Sequence, residues 1–502
     1  MRSDLNRRKF LGSAAASGVV AIVPRHVLGG TAHVAPSEKI TLAHIGMGTQ
    51  GFNELGDLLA APEIQIIAVC DPNADSNDYV EWGKNSIRNR IRTYLSNPAW
   101  REGASGCPGG REVGRLVVDT YYANQRGADR FRACSGYADF RELLDKEKDL
   151  DAVKIMTPDH LHATIAIAAM RKGKHVMVHK PLANRLYEGR LVVQTARQTK
   201  VATHLLAYGA GSGNARIVGR IKEGVIGTLR EIHNWTNRPV WPQYTEIPAD
   251  RPPVPKGLDW DLWLGPALDR PYHPHYTHTV FRGWYDFGGG SMADMGIYSL
   301  WPVFTGLDLP VPSSAEAWAT HTCAIVDHVS RPTRNDFAYP TACTLRFKFA
   351  ARAGAPALDL FWYDGGMKPR LPDELEAQGV ELAREGILFV GDKGAILAGF
   401  NGQGPQCFVN GKREPLALDD SAGRGPQGRA GRYHGWIEAV RGGEPSPGSF
   451  TNAGPITDTV NLGTVALRAG AKVLFDSDNM KVTNLPSANT YLRREYRKGW
   501  EL

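Results

Sequence analysis

Lys180, Asp294 and Tyr298 have the side-chain types to steady a charged oxygen and move a proton. An ammonium beside a hydroxyl favours its alkoxide-like form as hydrogen leaves the carbon. A carboxylate can orient neighbouring hydroxyls, and a phenol can take and return a proton. Asp294 and Tyr298 stand four residues apart in Gly288-Gly289-Gly290-Ser291-Met292-Ala293-Asp294-Met295-Gly296-Ile297-Tyr298, so a helix there sets both on one face. The glycines permit a tight entry, and Ser291 is placed to cap that helix. A phenol is a weak base near neutrality, so a neighbouring Lys180 ammonium would help it by favouring the phenolate. Read alone, Lys180 could also be a surface lysine at a strand end, with Asp294 and Tyr298 structural.

A second group of residues suits a dinucleotide. Gly46-Met47-Gly48-Thr49-Gln50-Gly51 follows the apolar run Ile40-Thr41-Leu42-Ala43-His44-Ile45. That spacing allows a tight turn, close backbone approach to a pyrophosphate and close helix packing, with the phosphates on a helix N-terminus near Gln50. Asp71, twenty residues after Gly51, ends the next apolar run and can accept from ribose hydroxyls, which favours NAD over NADP. Thr157-Pro158-Asp159-His160-Leu161-His162 and His175-Val176-Met177-Val178-His179-Lys180-Pro181 leave later strands of the same pattern. Strand carboxyl ends face the ligand crevice in such sheets. His160 and His162 could equally be a loop and a helix-start residue without a chemical role.

The elements that must position these groups alternate along the first half. Strands are expected at Ile40–Ile45, Ile64–Val69, Ala152–Met156, His175–Val178 and Val201–Leu206, and helices at Gly51–Ala60, His162–Lys172 and Tyr187–Thr199. This rhythm predicts a doubly wound parallel Rossmann sheet over 36–210. An insertion at about 80–135 interrupts it, with a helix near Asp78–Leu95. The second half, 211–502, predicts an α/β substrate domain with an open, mainly antiparallel sheet. Its strands are Leu229–Trp235, Ser314–His321, Tyr339–Phe349 and Ala357–Tyr363, with an irregular segment over 236–280 and a helix over Thr457–Val473. An open sheet face favours a dimer or tetramer.

The 502 residues suggest two domains, and 42% apolar with 22% charged residues is the composition of a globular protein. The net charge of +7 falls to +3 without residues 1–35, which hold Arg2, Arg7, Arg8, Lys9 and Arg25 against Asp4. That balance gives no footprint for nucleic acid or an anionic membrane. Residues 1–35 read as a twin-arginine signal peptide: Asn6-Arg7-Arg8-Lys9-Phe10-Leu11, then an apolar stretch at Leu11–Val23 too short to span a bilayer. Cleavage is expected between Ala21 and Ala35, and the folded protein is expected in the periplasm. No membrane span is expected. The six cysteines lack Cys-x-x-Cys spacing, so no metal site is expected and buried thiols are the simpler reading.

Taken together, Gly46, Gly48, Gly51, Thr157, Pro158, His162, Gly173-Lys174-His175-Val176 and Lys180-Pro181 resemble the Gfo/Idh/MocA oxidoreductase family. Two shorter stretches, Gly391-Asp392-Lys393-Gly394-Ala395 and His233 to Gln243, carry the same resemblance, which covers 38–480 apart from the insertion. Two positions depart from the family pattern. His179 stands where the family has glutamate, near the nicotinamide ribose. Tyr298 stands at the histidine of Asp-x-Gly-x-His, a variant that resembles the glucose–fructose oxidoreductase branch, in which tyrosine is the acid/base.

The resemblance implies an NAD(P)-dependent oxidoreductase, NAD favoured over NADP, acting on a secondary hydroxyl of a sugar, polyol or glycoside. It implies Gly46, Met47, Gly48, Thr49, Gln50, Gly51, Asp71, Thr157, Pro158, His162, His179 and Lys180 at the cofactor. Arg238, Trp241, Trp284 and His434 are the substrate-side candidates; Trp241, Trp284 and Tyr285 could present flat faces to a sugar ring or simply pack. Outside the cytoplasm a freely exchanging cofactor is scarce, so a tightly held, recycled one is expected. Two alternatives stay open: a glycosidase or lyase using transient oxidation and elimination, and a non-catalytic carbohydrate-binding protein.

Overall fold

The computed structural model of the protein describes residues 34–126, 134–207, 213–333, 335–418 and 430–502. The expected leader, with Arg7 and Arg8, lies outside the described residues except for its last two positions.

The first half contains β1 (Ile40–Ile45), α1 (Thr49–Leu59), β2 (Ile64–Cys70), β3 (Ser76–Tyr79), α2 (Ser86–Leu95), β4 (Cys107–Gly109), α3 (Arg111–Arg126) and β5 (Ser135–Tyr137). It continues through α4 (Phe140–Lys146), β6 (Ala152–Ile155), α5 (Asp159–Arg171), β7 (His175–His179), α6 (Leu186–Thr199) and β8 (Thr203–Leu206). Six strands form one parallel sheet in the order β5-β2-β1-β6-β7-β8. Helices cover both faces, which is why β1 and β6 read as nearly continuous apolar runs. The order reverses between β1 and β6, so the loops after Ile45 and Ile155 open the crevice where such sheets hold ligands.

The expected helix over Asp78–Leu95 starts only at Ser86, because Ser76–Tyr79 is drawn into a hairpin with Cys107–Gly109. That pairing lays Tyr79 beside the glycine loop: a Cβ on Gly48 would stand 3.0 Å from Tyr79 Cε1.

After α7 (Gly213–Lys222), the second half runs through β9 (Leu229–Trp235), α8 (Trp260–Leu264), α9 (Ile297–Leu307), β10 (Ser314–Ala319), the hairpin β11 (Cys323–Val326) and β12 (Val329–Pro332), β13 (Cys343–Phe349) and β14 (Leu358–Tyr363). It ends with α10 (Asp373–Glu376), β15 (Gly386–Gly391), β16 (Gly394–Ala398), β17 (Gln406–Val409), β18 (Lys412–Glu414), α11 (His434–Val440), α12 (Phe450–Ala469), β19 (Val473–Asp476) and β20 (Lys481–Val482). Ten strands form a sheet in the order β18-β17-β16-β15-β9-β14-β13-β10-β19-β20, antiparallel throughout except between β9 and β14. β14 alternates: Leu358, Leu360 and Trp362 are buried, while Asp359, Phe361 and Tyr363 face outward with His233 stacked on Phe361 at 4.8 Å.

Some boundaries differ from the sequence expectation. The strand expected from Tyr339 begins at Cys343, since Pro340 cannot donate to a ladder. The helix expected from Thr457 begins at Phe450, capped by Ser449 accepting from the Asn452 N–H, and ends at Gly470 so that Val473 enters β19. This helix joins the two halves: Asn461 donates to the Ala183 carbonyl at 3.2 Å and Asp458 pairs with Arg190 of α6 at 2.9 Å. Five of the six cysteines are buried free thiols, while Cys323 is exposed on β11. Among the described residues no helix is long and apolar enough to cross a membrane, and no group of three or more His, Cys, Asp or Glu is placed to hold a metal.

Candidate active site

The glycine loop closes against the neighbouring strand exit. Gly46 has φ +99°, and a Cβ there would lie 2.6 Å from the Met156 carbonyl carbon, so only glycine fits. Gly48 precedes α1 without a side-chain cap, which leaves the first helical N–H groups to a ligand. Asp71 accepts from the Met47 N–H at 2.7 Å and the Asn73 N–H at 2.8 Å. Each carboxylate oxygen keeps lone-pair capacity beyond one such bond. Burial raises its pKa against those two hydrogen bonds. Gly46, Gly48, Thr49, Gln50, Asp71, Thr157 and Pro158 line one cleft of ≈ 890 Å³, including its open mouth. A dinucleotide fits this cradle: a backbone turn without side chains, a helix N-terminus, and an acceptor at the end of β2. Met47 is different, since its side chain is fully buried and packs into the core beside Gly114.

His162 sits between the two strand exits, with Nδ1 2.6 Å from the Pro181 carbonyl and Nε2 2.9 Å from the Thr157 carbonyl; a neutral ring donates to one of them. His160 is buried against Trp263 and Phe287, a packing position. Burial pushes His160 down to about 3 and also lowers His162.

Lys180, Asp294 and Tyr298 come together although 114 residues separate the first two. Lys180 Nζ donates to Asp294 Oδ1 at 2.6 Å and lies 4.6 Å from the centre of the Tyr298 ring. The helix entry differs from the expected one. Ser291 is already helical and makes no cap; Met292–Gly296 forms a wide π turn that runs into α9. Such turns recur where one residue must be re-aimed at a site. Arg282, which no motif in the sequence singled out, donates from Nε to the same Asp294 oxygen at 3.1 Å and lines the cleft. Gly288 makes this approach possible, because a Cβ there would stand 2.4 Å from Arg282 Cα. Burial would raise the Asp294 pKa, yet Lys180 and Arg282 outweigh it and hold the carboxyl well below the usual range. Burial lowers Lys180, with Asp294 offsetting only part of that cost.

A second string of buried groups lies behind the phenol. Tyr298 Oη is 3.0 Å from His179 Nε2, His179 Nδ1 is 3.2 Å from Glu54 Oε1, and Lys154 Nζ donates to Glu54 Oε2 at 2.7 Å. Tyr433 Oη stands 3.3 Å from Lys154 Nζ, and Gln50 donates to Glu54 Oε1 at 3.1 Å. His179 thus faces Tyr298 and α1. Glu54 and Lys154 lie within a helix and a strand of the Rossmann pattern and Tyr433 in a stretch given no element, so no motif singled them out as site residues.

The substrate-side candidates divide. Arg238 lies with its guanidinium 5.7 Å from the Trp82 ring, and its charge makes a small contribution to lowering Asp294. Trp241 is buried, with the Arg282 guanidinium 6.0 Å from its ring. Trp284 is fully inside an aromatic cluster, stacked on Tyr244 at 4.9 Å and donating to the His275 carbonyl, which leaves no face for a sugar. His434 is exposed at the start of α11; its neighbour Tyr433 is the residue that turns inward.

Residues 111–206 match the Gfo/Idh/MocA oxidoreductase family model for the NAD-binding Rossmann fold, and residues 225–348 match its model for the C-terminal alpha/beta domain. The glycine loop at 46–51 lies outside both segments, so its assignment stands on geometry. Levoglucosan dehydrogenase of Pseudarthrobacter phenanthrenivorans is 35% identical over 104 residues, 20% of this chain and 26% of that protein. Glycosyl hydrolase family 109 protein 1 of Shewanella sp. (strain ANA-3) is 24% identical over 243 residues, 45% of this chain and 44% of that protein. The matches therefore span between about a quarter and under half of these curated relatives. The fold is shared with the WlbA dehydrogenase from Chromobacterium violaceum, solved with NADH and UDP-GlcNAcA, at TM-score 0.54 and 18% identity over 88% of this chain and 98% of that one. Each half therefore matches a model of the Gfo/Idh/MocA oxidoreductase family, and a parallel sheet followed by a mainly antiparallel one agrees with that two-domain fold.

Proposed function

We propose that this protein is an NAD-dependent oxidoreductase acting on a secondary hydroxyl of a sugar, polyol or glycoside. The observation that carries it is the convergence of Lys180, Asp294, Arg282 and Tyr298 beside the dinucleotide cleft. Bound nicotinamide supplies the two-electron acceptor or donor. The protein's own residues do the rest. Tyr298 takes the hydroxyl proton, and Lys180 polarises that oxygen. Asp294, kept ionised by two cations, accepts from the adjacent hydroxyls and fixes the sugar's orientation. Arg238, whose charge reaches Asp294, suits the remaining hydroxyls, and Trp241 beside Arg282 suits the apolar face. The levoglucosan dehydrogenase match supports a carbohydrate substrate.

The expected twin-arginine leader adds export to the periplasm with the cofactor already held. Two contacts support retention: Tyr79 packs beside Gly48, and His278 covers Tyr79 with ring centres 4.2 Å apart. The match to a glycosyl hydrolase family 109 protein favours a second reading, in which oxidation is transient and a glycosidic bond is eliminated. Mass spectrometry of released cofactor, with product analysis on levoglucosan, free sugars and nitrophenyl glycosides, separates the two. A ketosugar supports the redox reading, and a free aglycone without net oxidation supports the second. Protein that carries no nicotinamide and turns over none of these probes would overturn both.

A further inference from the structure

The histidine at position 179 stands between Tyr298 and a buried carboxylate. We propose that Glu54, His179 and Tyr298 form a proton relay, in which His179 Nε2 accepts the phenolic proton of Tyr298 as Tyr298 accepts the proton of the substrate hydroxyl. This rests on Tyr298 being the group that meets that hydroxyl.

The geometry is that of a base oriented by a third group. Tyr298 Oη lies 3.0 Å from Nε2 on one side of the ring, and Glu54 Oε1 lies 3.2 Å from Nδ1 on the other. A carboxylate at Nδ1 selects the tautomer with the proton there, which leaves the Nε2 lone pair for the phenol. The Nδ1–H is not aimed along the line to Glu54 in this structure, and such bonds often tighten only once substrate is bound. His179 is 6% exposed and Glu54 2%, so bulk water does not compete for these contacts.

Glu54 must be ionised to serve. Burial would raise its pKa, but Lys154 and His179 hold it well below the carboxylate range. The charged groups facing His179 are Glu54 from α1, Lys154 from β6 and Lys180 next in the chain, with Tyr298 from α9. Burial lowers His179 to about 4, with Lys180 and Lys154 opposing its charging, so near neutral pH the ring rests neutral and can accept a proton.

The balance closes. The O–H bonds of substrate and Tyr298 break, and new bonds form at Tyr298 Oη and His179 Nε2. The resulting imidazolium faces the Glu54 carboxylate, and the carbinol C–H hydrogen leaves with both bonding electrons as a hydride, which a bound nicotinamide would accept. Gln50 belongs to the glycine loop and also donates to Glu54, so the nucleotide cradle and the relay share one helix.

Heteronuclear NMR on histidine-labelled full-length protein tests the relay without substrate. Near neutral pH, His179 should carry its proton on Nδ1, Glu54→Gln should mix the tautomers, and Tyr298→Phe should shift the Nε2 signal. A proton on Nε2 in the parent protein overturns the relay. On the levoglucosan and nitrophenyl glycoside probes, His179→Gln keeps a polar side chain but cannot shuttle a proton. Its kcat should fall on the order of 10²–10⁴-fold. KM and nucleotide affinity should stay within about threefold. The rate in mixed light and heavy water should change from curved to linear. Unchanged kcat with a curved dependence overturns the relay. If Tyr298→Phe is inactive while His179→Gln keeps parental turnover, only the relay falls. If Tyr298→Phe keeps parental turnover, the underlying assignment of Tyr298 falls as well.

Discussion

Replacing Lys154 by Met removes the cation from one of the most deeply buried ion pairs in the molecule. The Lys154 side chain is 0% exposed, that of Glu54 is 3%, and the two meet at 2.7 Å. Without Lys154, Glu54 must either stay charged in the interior or take up a proton. Leaving one partner of a buried pair uncompensated costs about 3–5 kcal/mol. Protonating a carboxyl of ordinary pKa at about pH 7 costs about 3.5 kcal/mol, at roughly 1.36 kcal/mol per pH unit. The two routes agree, so Lys154→Met should lose about 3–4 kcal/mol near neutrality. Adding Glu54→Gln should recover at least about half of that loss, because no buried charge then remains. The sign with pH is distinctive. Stripped of its cation, Glu54 has a raised folded pKa, so the defect shrinks on acidification towards the ordinary carboxyl range. In the parent, Glu54 has a depressed folded pKa, and its contribution is present above the unfolded value and lost as pH falls. Urea unfolding followed by circular dichroism and tryptophan fluorescence, at several pH values and for both variants, reads these quantities. A loss below about 1 kcal/mol near neutrality, or one that grows on acidification, would refute the description of a charged buried pair.

Other consequences can be checked directly. Burial lowers His44 and His160 to about 3 and His179 and His204 to about 4, so the unfolded chain binds more protons than the folded one from about pH 6.5 downward. Stability should therefore fall as pH drops through that window, by up to about 5 kcal/mol per unit if all four act together; a urea midpoint that is flat between pH 6.5 and about 4 contradicts their neutral burial. Gly46→Ala places a Cβ against the Met156 carbonyl at positive φ, and should weaken NAD binding at least about tenfold in a fluorescence titration. Lys180→Met should abolish turnover on the carbohydrate probes while NAD stays bound, since Asp294 keeps Arg282; unaltered turnover would refute the role given to Lys180.

The local half of the fold was legible because it rests on near-neighbour patterns. β1, the glycine turn and α1 follow from an apolar run, three spaced glycines and an amphipathic stretch, and the structure places them within two residues of expectation. α12 was mis-started because Pro455 interrupts a pattern that Ser449 in fact caps and burial sustains. β3 was missed because its partner among the described residues, β4, lies within the insertion and far along the chain. The sequence by itself determined the doubly wound sheet, the nucleotide cradle and the side chains with chemistry to offer at Lys180, Asp294 and Tyr298, since strand exits and helix spacing are set by short-range periodicity. Tertiary structure alone decided that Arg282 reaches Asp294, that Trp284 is spent in a core, and that His179 is backed by Glu54, Lys154 and Tyr433. Those contacts join residues up to 279 positions apart, and their consequence, which charges survive burial, depends on distances that no linear pattern encodes.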